Sequence, residues 1–174
     1  MDFLQAAMDV SLCRAVSVTA QASSRVPLPI RAGRIGSSLA ARAYRIDLRD
    51  HLVFPGLINA HEHLHVNAVP PLPSRAPFPN SYAWIAAFRE HFAEPAVVAA
   101  LQVPKALRLR HGALKNLLAG STCVVHHDPW HPVLDESNFP VTLLRNYGWS
   151  YALGWPDYGP PVQPSFAATP ADRP

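Results

Sequence analysis

Cysteine is nearly absent: Cys13 and Cys123 are the only two in 174 residues, they lie far apart, and neither belongs to a CxxC pair. Neither a disulfide framework nor a cysteine-built zinc site is therefore indicated, and buried free thiols are the expected state. Long apolar runs are missing too. No stretch approaches the ~18 residues that a membrane helix needs, so a soluble chain with no membrane partner is expected. Charge is scarce, at 16% of residues, and the net +3 comes from arginines scattered along the chain. Without a clustered basic stripe or interleaved aromatics, no nucleic-acid partner is expected. A basic leader is also lacking, because "MDFLQAAMDVSLCRAVSVTA" carries acids at Asp2 and Asp9 and Arg14 interrupts its apolar stretch. That is a poor secretory signal, and the cytoplasm is the expected compartment.

What is present is apolar residues at 49%, enough for one modest core, and 19 prolines. The prolines stand at about twice the usual ~5%. They gather in 70–79 and 155–174, which read as extended loops, so regular structure is expected between them. Residues 1–50 hold short β-like pieces such as "AVSVTA" and "AYRIDL" broken by Ser, Gly and Pro, the mark of a small irregular β segment. Residues 51–174 form the second expected unit. There "HLVFPGLINA" is an apolar run of strand length whose Pro55–Gly56 pair marks a turn, with the strand starting at Leu57.

From Tyr82 to Ala119 the pattern predicts two or three helices, interrupted at Pro95 and Pro104. In the last of them Leu107, Leu114, Leu117 and Leu118 predict one apolar stripe, with Arg108, Arg110 and Lys115 facing water and Gly120 closing the helix. "STCVVHH" reads as a buried strand, "FPVTLLRNY" as helix-like and "GWSYALGW" as a third strand. Strands alternating with helices predict an α/β fold with a parallel sheet.

The histidines carry the chemistry. In "FPGLINAHEHLH" strand alternation places His61, His63 and His65 on one face with Asn59, and Glu62 on the other, toward a helix or the surface. Two imidazoles at i, i+2 on one face can converge on one metal, and the C-terminal end of a parallel strand is where such folds put their sites. Neutral imidazole suits zinc, iron and nickel. His126, His127, Asp128 and His131 follow the second strand, and Trp130 stands beside its end.

Four blocks in order, "RAGRI", "RIDLRDHLVFPGLINAHEHLH", "GALKNLLAGSTCVVHHDPWHP" and "LLRNYGWSYALGW", resemble the N-terminal part of the amidohydrolase superfamily, in the branch of guanine and cytosine deaminases and triazine chlorohydrolases. The most specific block is PGLINAHxH at Pro55 to His63, where the first histidine stands six residues after the proline. The resemblance implies about the first three strands of a TIM-type (β/α)8 barrel, with residues 1–50 contributing to a small β-sandwich. It implies one divalent metal, zinc with iron as the alternative, held by His61 and His63. His65 becomes a residue at the mouth, beside Asp128 and Trp130 as pocket or supporting residues; of His126 and His127, alternation turns one inward to line the pocket or hydrogen-bond a ligand from behind and the other away to pack under a helix, and a ligand role for His126, His127 or Asp128 is the alternative. The reaction implied is attack of metal-activated water on a C–N (non-peptide) bond of a small molecule. The family's later ligands and proton-transfer residues find no match here, and its members often pair as homodimers.

A barrel of this type takes ~250 residues, and the first fifty residues leave 124 for it. A truncated member is therefore expected, whose helix-like start at Thr169–Pro170 barely begins. A remnant that keeps the histidine pair without turnover, or a small metal-binding protein completed by His126 or His127, is the competing expectation.

Overall fold

A computed structural model describes residues 9–38, 42–74, 76–145 and 147. The chain divides into two compact units, Met1–Pro55 and Gly56–Pro174. The expected strand "GWSYALGW" and the helix start at Thr169 lie outside the described residues.

Among its described residues the first unit has seven short strands: β1 (Val10–Cys13), β2 (Val16–Val18), β3 (Ser23–Ser24), β4 (Leu28–Arg31), β5 (Arg34–Ile35), β6 (Tyr44–Asp47) and β7 (Leu52–Val53). They form one sheet in the order β5-β4-β1-β6 and another in the order β3-β2-β7. In β1 alternate residues are buried, Ser11 and Cys13, as the two-residue period of a strand requires. The tight turn joining β4 to β5 passes through Ala32 and Gly33, both at positive φ. Glycine adopts that conformation without the steric cost a side chain incurs.

The second unit is mixed α/β. Strand β8 (Leu57–Glu62) runs into a 3-10 turn at Leu64–Ala68, followed by helices α1 (Ser81–His91), α2 (Pro95–Leu101) and α3 (Lys105–Leu118). Then come β9 (Ser121–His126), a second 3-10 turn (Pro132–Asp135) and β10 (Thr142–Leu143). The three strands pair in parallel in the order β10-β9-β8, and the described residues do not close into a barrel. Both prolines act at helix starts, Pro95 as the first residue of α2 and Pro104 as the residue capping α3, where no backbone donor is lost. Gly120, at φ +88°, ends α3 in the left-handed position. Its carbonyl accepts from Leu57 N–H at 2.9 Å, which ties the end of α3 to the start of β8.

The structure corrects two expectations. "FPVTLLRNY" carries β10 in place of a helix: Val141 and Leu143 are buried with Thr142 exposed between them, a strand's alternation, helped by Pro140 and two β-branched residues. The predicted apolar stripe of α3 is the outer face. Leu107, Leu114, Leu117 and Leu118 are exposed, Leu118 at 89%, whereas Arg108, Leu109, Gly112, Ala113 and Asn116 are buried. Arg108 is buried because its guanidinium donates to Val103 O at 2.9 Å and His65 O at 3.1 Å, so its charge is hydrogen-bonded.

The core joins Leu109 and Ala113 of α3 to Leu64, Val124, Val133, Leu134, Val141 and Leu143. Gly112 lies against the first 3-10 turn so closely that a Cβ there would come within 2.1 Å of Leu64 O. Of the two thiols, Cys13 is buried and Cys123 only half-buried.

Candidate metal centre

The site is built where β8 and β9 end. Pairing between the two strands slips between Asn59 and Glu62, where β8 carries an extra residue. Such a bulge re-aims the side chains that follow it. Asn59 and Glu62 consequently meet on the helix side, with Asn59 Nδ2 donating to Glu62 Oε2 at 3.0 Å. This corrects the expectation that Asn59 shares a face with His61. His63 caps the 3-10 turn and His65 lies within it, so neither extends the strand.

Glu62 accepts four hydrogen bonds: from Asn59, from Asn116 Nδ2 at 2.7 Å, from Asn67 Nδ2 at 2.9 Å and from His63 N–H at 2.8 Å. Its carboxylate thus fastens β8, the 3-10 turn and α3 together and points away from the imidazoles. Asn116 and Asn67 were not singled out by sequence. The available signal is Asn116 itself, a poor helix former in the interior of α3. His127 N–H donates to Glu62 O at 2.7 Å, which binds the end of β9 to the end of β8.

Three imidazoles converge there. His61 Nε2 and His63 Nε2 are 3.2 Å apart, and the His127 ring lies 4.6 Å from that of His61 and 5.0 Å from that of His63, centroid to centroid. One nitrogen from each of the three falls within 4.8 Å of the others. Two nitrogens on one tetrahedral zinc at ordinary bond lengths stand ~3.3 Å apart, so the His61–His63 spacing fits a shared cation. His63 Nδ1 lies 2.9 Å from Asp128 Oδ2. A carboxylate only accepts, so this nitrogen carries the hydrogen and Nε2 keeps its lone pair toward His61.

Behind this trio a second group gathers. His65 Nδ1 is 3.3 Å from Asp128 Oδ2, and the His65 and His126 rings are 6.4 Å apart, nearly perpendicular. Burial alone raises the Asp128 pKa, but hydrogen bonds from His63 and His65 outweigh it and hold the carboxyl well below its ordinary range. Desolvation pushes His126 down to about 4, against the attraction of Asp128, so its ring is neutral at pH 7.

The Trp130 indole N–H donates to Asp135 Oδ2 at 2.9 Å, and the Arg145 guanidinium lies 4.7 Å from the ring centroid. His131 caps the second 3-10 turn, accepting from Val133 N–H at 3.2 Å.

No family model matches the chain, and no curated protein matches it. Solved structures do. Molinate hydrolase is similar over 93% of this chain and 34% of its own, with a TM-score of 0.51 and 16% identity. A triazine hydrolase variant is similar over 76% of this chain and 31% of its own, at 0.45 and 22%. An amidohydrolase from an environmental sample of the Sargasso Sea is similar over 91% and 38%, at 0.43 and 18%. All three are hydrolases, and the likeness to molinate hydrolase is one of fold. The chain spans about a third of the length of these structures.

Proposed function

We propose that this chain carries the metal-holding part of an amidohydrolase-type enzyme that hydrolyses C–N (non-peptide) bonds in a small molecule: an amide, an amidine or an aminated heterocycle. The observation that carries the reading is the pair of Nε2 atoms of His61 and His63, 3.2 Å apart, with the far side of His63 fixed by Asp128. His61, His63 and His127 would hold one divalent cation, zinc first and iron second. The cation supplies Lewis acidity, which makes water a nucleophile near neutral pH. Asp128 holds His63 in the tautomer that leaves Nε2 unprotonated, and Glu62, by binding three asparagine side chains and the His63 amide, keeps the turn that presents His63 and His65 in place. The amidohydrolase resemblance of PGLINAHxH, together with the fold shared with molinate hydrolase, supports the hydrolytic class.

The test loads the purified chain with zinc, measures retained metal by mass spectrometry, and assays release of ammonia or amine from a panel of amides, amidines and aminotriazines. His61→Ala is expected to weaken zinc binding by about 100-fold or more, past the 10–100-fold that outer partners of a ligand cost. Zinc retention unchanged by both His61→Ala and His63→Ala would sink the proposal. The second reading is a metal-binding unit without turnover, favoured by His127, which supplies a third nitrogen from the adjacent strand end. Zinc retained through these histidines, with no hydrolysis across the panel, would select it.

A further inference from the structure

His126 is the residue that the centre described above leaves without a role. It is 1% exposed, yet neither ring nitrogen has a hydrogen-bond partner among the described residues. A buried polar atom left without a partner costs ~1–3 kcal/mol, and in native structures such a group marks an ion, a water or a functional demand. Asp128, 6% exposed, and His65 stand beside it, and one donor atom from each of the three lies within 4.8 Å of the other two. We infer that His65, His126 and Asp128 form a second, interior cation site, separate from the His61–His63–His127 trio and joined to it through the Asp128–His63 hydrogen bond.

The donor set is two imidazoles and a carboxylate, which suits zinc, iron(II), cobalt(II) or nickel(II) better than the oxygen-seeking calcium or magnesium. Geometry keeps the two sites chemically distinct. His61 opens to solvent, while His126 and Asp128 are enclosed, so a cation reaching the inner site must shed its water. Asp128 serves both, since an ionised carboxylate offers two oxygens with about four lone-pair positions between them. His65 is held for the purpose from its own backbone, where Arg108 donates to its carbonyl at 3.1 Å. A purely structural network of Asp128 with His63 and His65 accounts for the carboxylate but gives His126 nothing to bond; the cation does.

This inference goes beyond the proposed hydrolytic reading, and stoichiometry separates the two. The full chain, freed of metal with a chelator, is titrated with Zn2+, bound metal being measured after dialysis; a parallel titration with Co2+ follows its visible absorption. About two equivalents are expected for the unaltered chain, bound in separable steps. His65→Ala and His126→Gln each remove one step and spare the other; His61→Ala removes the other and spares this one. Saturation of the unaltered chain at about one equivalent that His61→Ala abolishes would overturn the second site and leave the hydrolytic reading standing. A second equivalent that survives both His65→Ala and His126→Gln would also overturn it. Because His126 is buried, circular dichroism of each variant accompanies the titration, and the half-buried His65 supplies the variant more tolerant of truncation. The count on the unaltered chain needs no variant at all.

Discussion

His91 and His126 are both buried imidazoles, 3% and 1% exposed, and their surroundings push their protons in opposite directions. His91 Nε2 lies 2.9 Å from Pro70 O and its Nδ1 lies 3.1 Å from Glu94 Oε2; the backbone hydrogen bond first and the carboxylate second raise its pKa. His126 has no such partner, and desolvation lowers it to about 4. Both rings are hidden from solvent, but desolvation dominates at His126 and is outweighed at His91 by the two acceptors. A buried histidine with acceptors is held toward the charged form, whereas one without them stays neutral with a lone pair to give.

The largest expected effect tests the His126 side of that contrast. Its folded pKa lies below the ordinary 6.5, so as pH falls the unfolded chain takes the proton first. The stabilisation is complete above pH ~6.5 and lost between there and pH ~4, amounting to about 3 kcal/mol. Urea unfolding of the metal-free chain at a series of pH values should show this loss, and His126→Leu should flatten it. Below pH ~4 the lowered Asp128 adds a loss of the same sign. An acid slope undiminished in His126→Leu would break the comparison.

Zinc sharpens it next. At about a hundred times its Kd the ion should raise unfolding stability by ~2.7 kcal/mol, moving the nuclear magnetic resonance signals of the His126 ring and leaving those of His91 in place. Asn116 extends the rule to an uncharged group. It is buried, its Nδ2 donates to Glu62 and to Gly112 O at 2.9 Å, and its Oδ1 accepts from Asn59 at 2.8 Å. Asn116→Ala should cost about 2 kcal/mol, read by the same urea series. The smallest effect is at Glu94. Glu94→Gln should bring the His91 pKa down toward its ordinary value without reaching it, because Pro70 O remains; His91 stability that is present below pH 6.5 is lost as pH rises through the raised value. A ring titration by nuclear magnetic resonance checks this.

How far the sequence could be read depended on whether local pattern or a distant partner decided the outcome. The start of β8 at Leu57, the helix interruptions at Pro95 and Pro104 and the end at Gly120 were legible, because proline and glycine act on their own backbone. The inner face of α3 was not. Hydropathy assigns Leu107, Leu114, Leu117 and Leu118 inward, but Arg108 and Asn116 take the inner face by bonding a carbonyl and a carboxylate 43 and 54 residues away. Strand alternation likewise failed beyond Ala60, since a bulge depends on how the neighbouring strand pairs. His61 and His63 stood out as a motif, but their meeting depends on the turn that His63 begins, the arrival of His127 on the β8–β9 pairing and that of Asp128 on the turn beyond it.

Gly112 has a consequence for the dimensions of the whole centre. Because nothing larger than a hydrogen separates it from the carbonyl of Leu64, α3 rests directly on the backbone that carries His63 and His65. The helix acts as a mechanical stop. A single methyl group there would jack the turn outward, widening the gap between imidazoles without touching any of them, so the spacing of the rings is gauged by an atom that is missing.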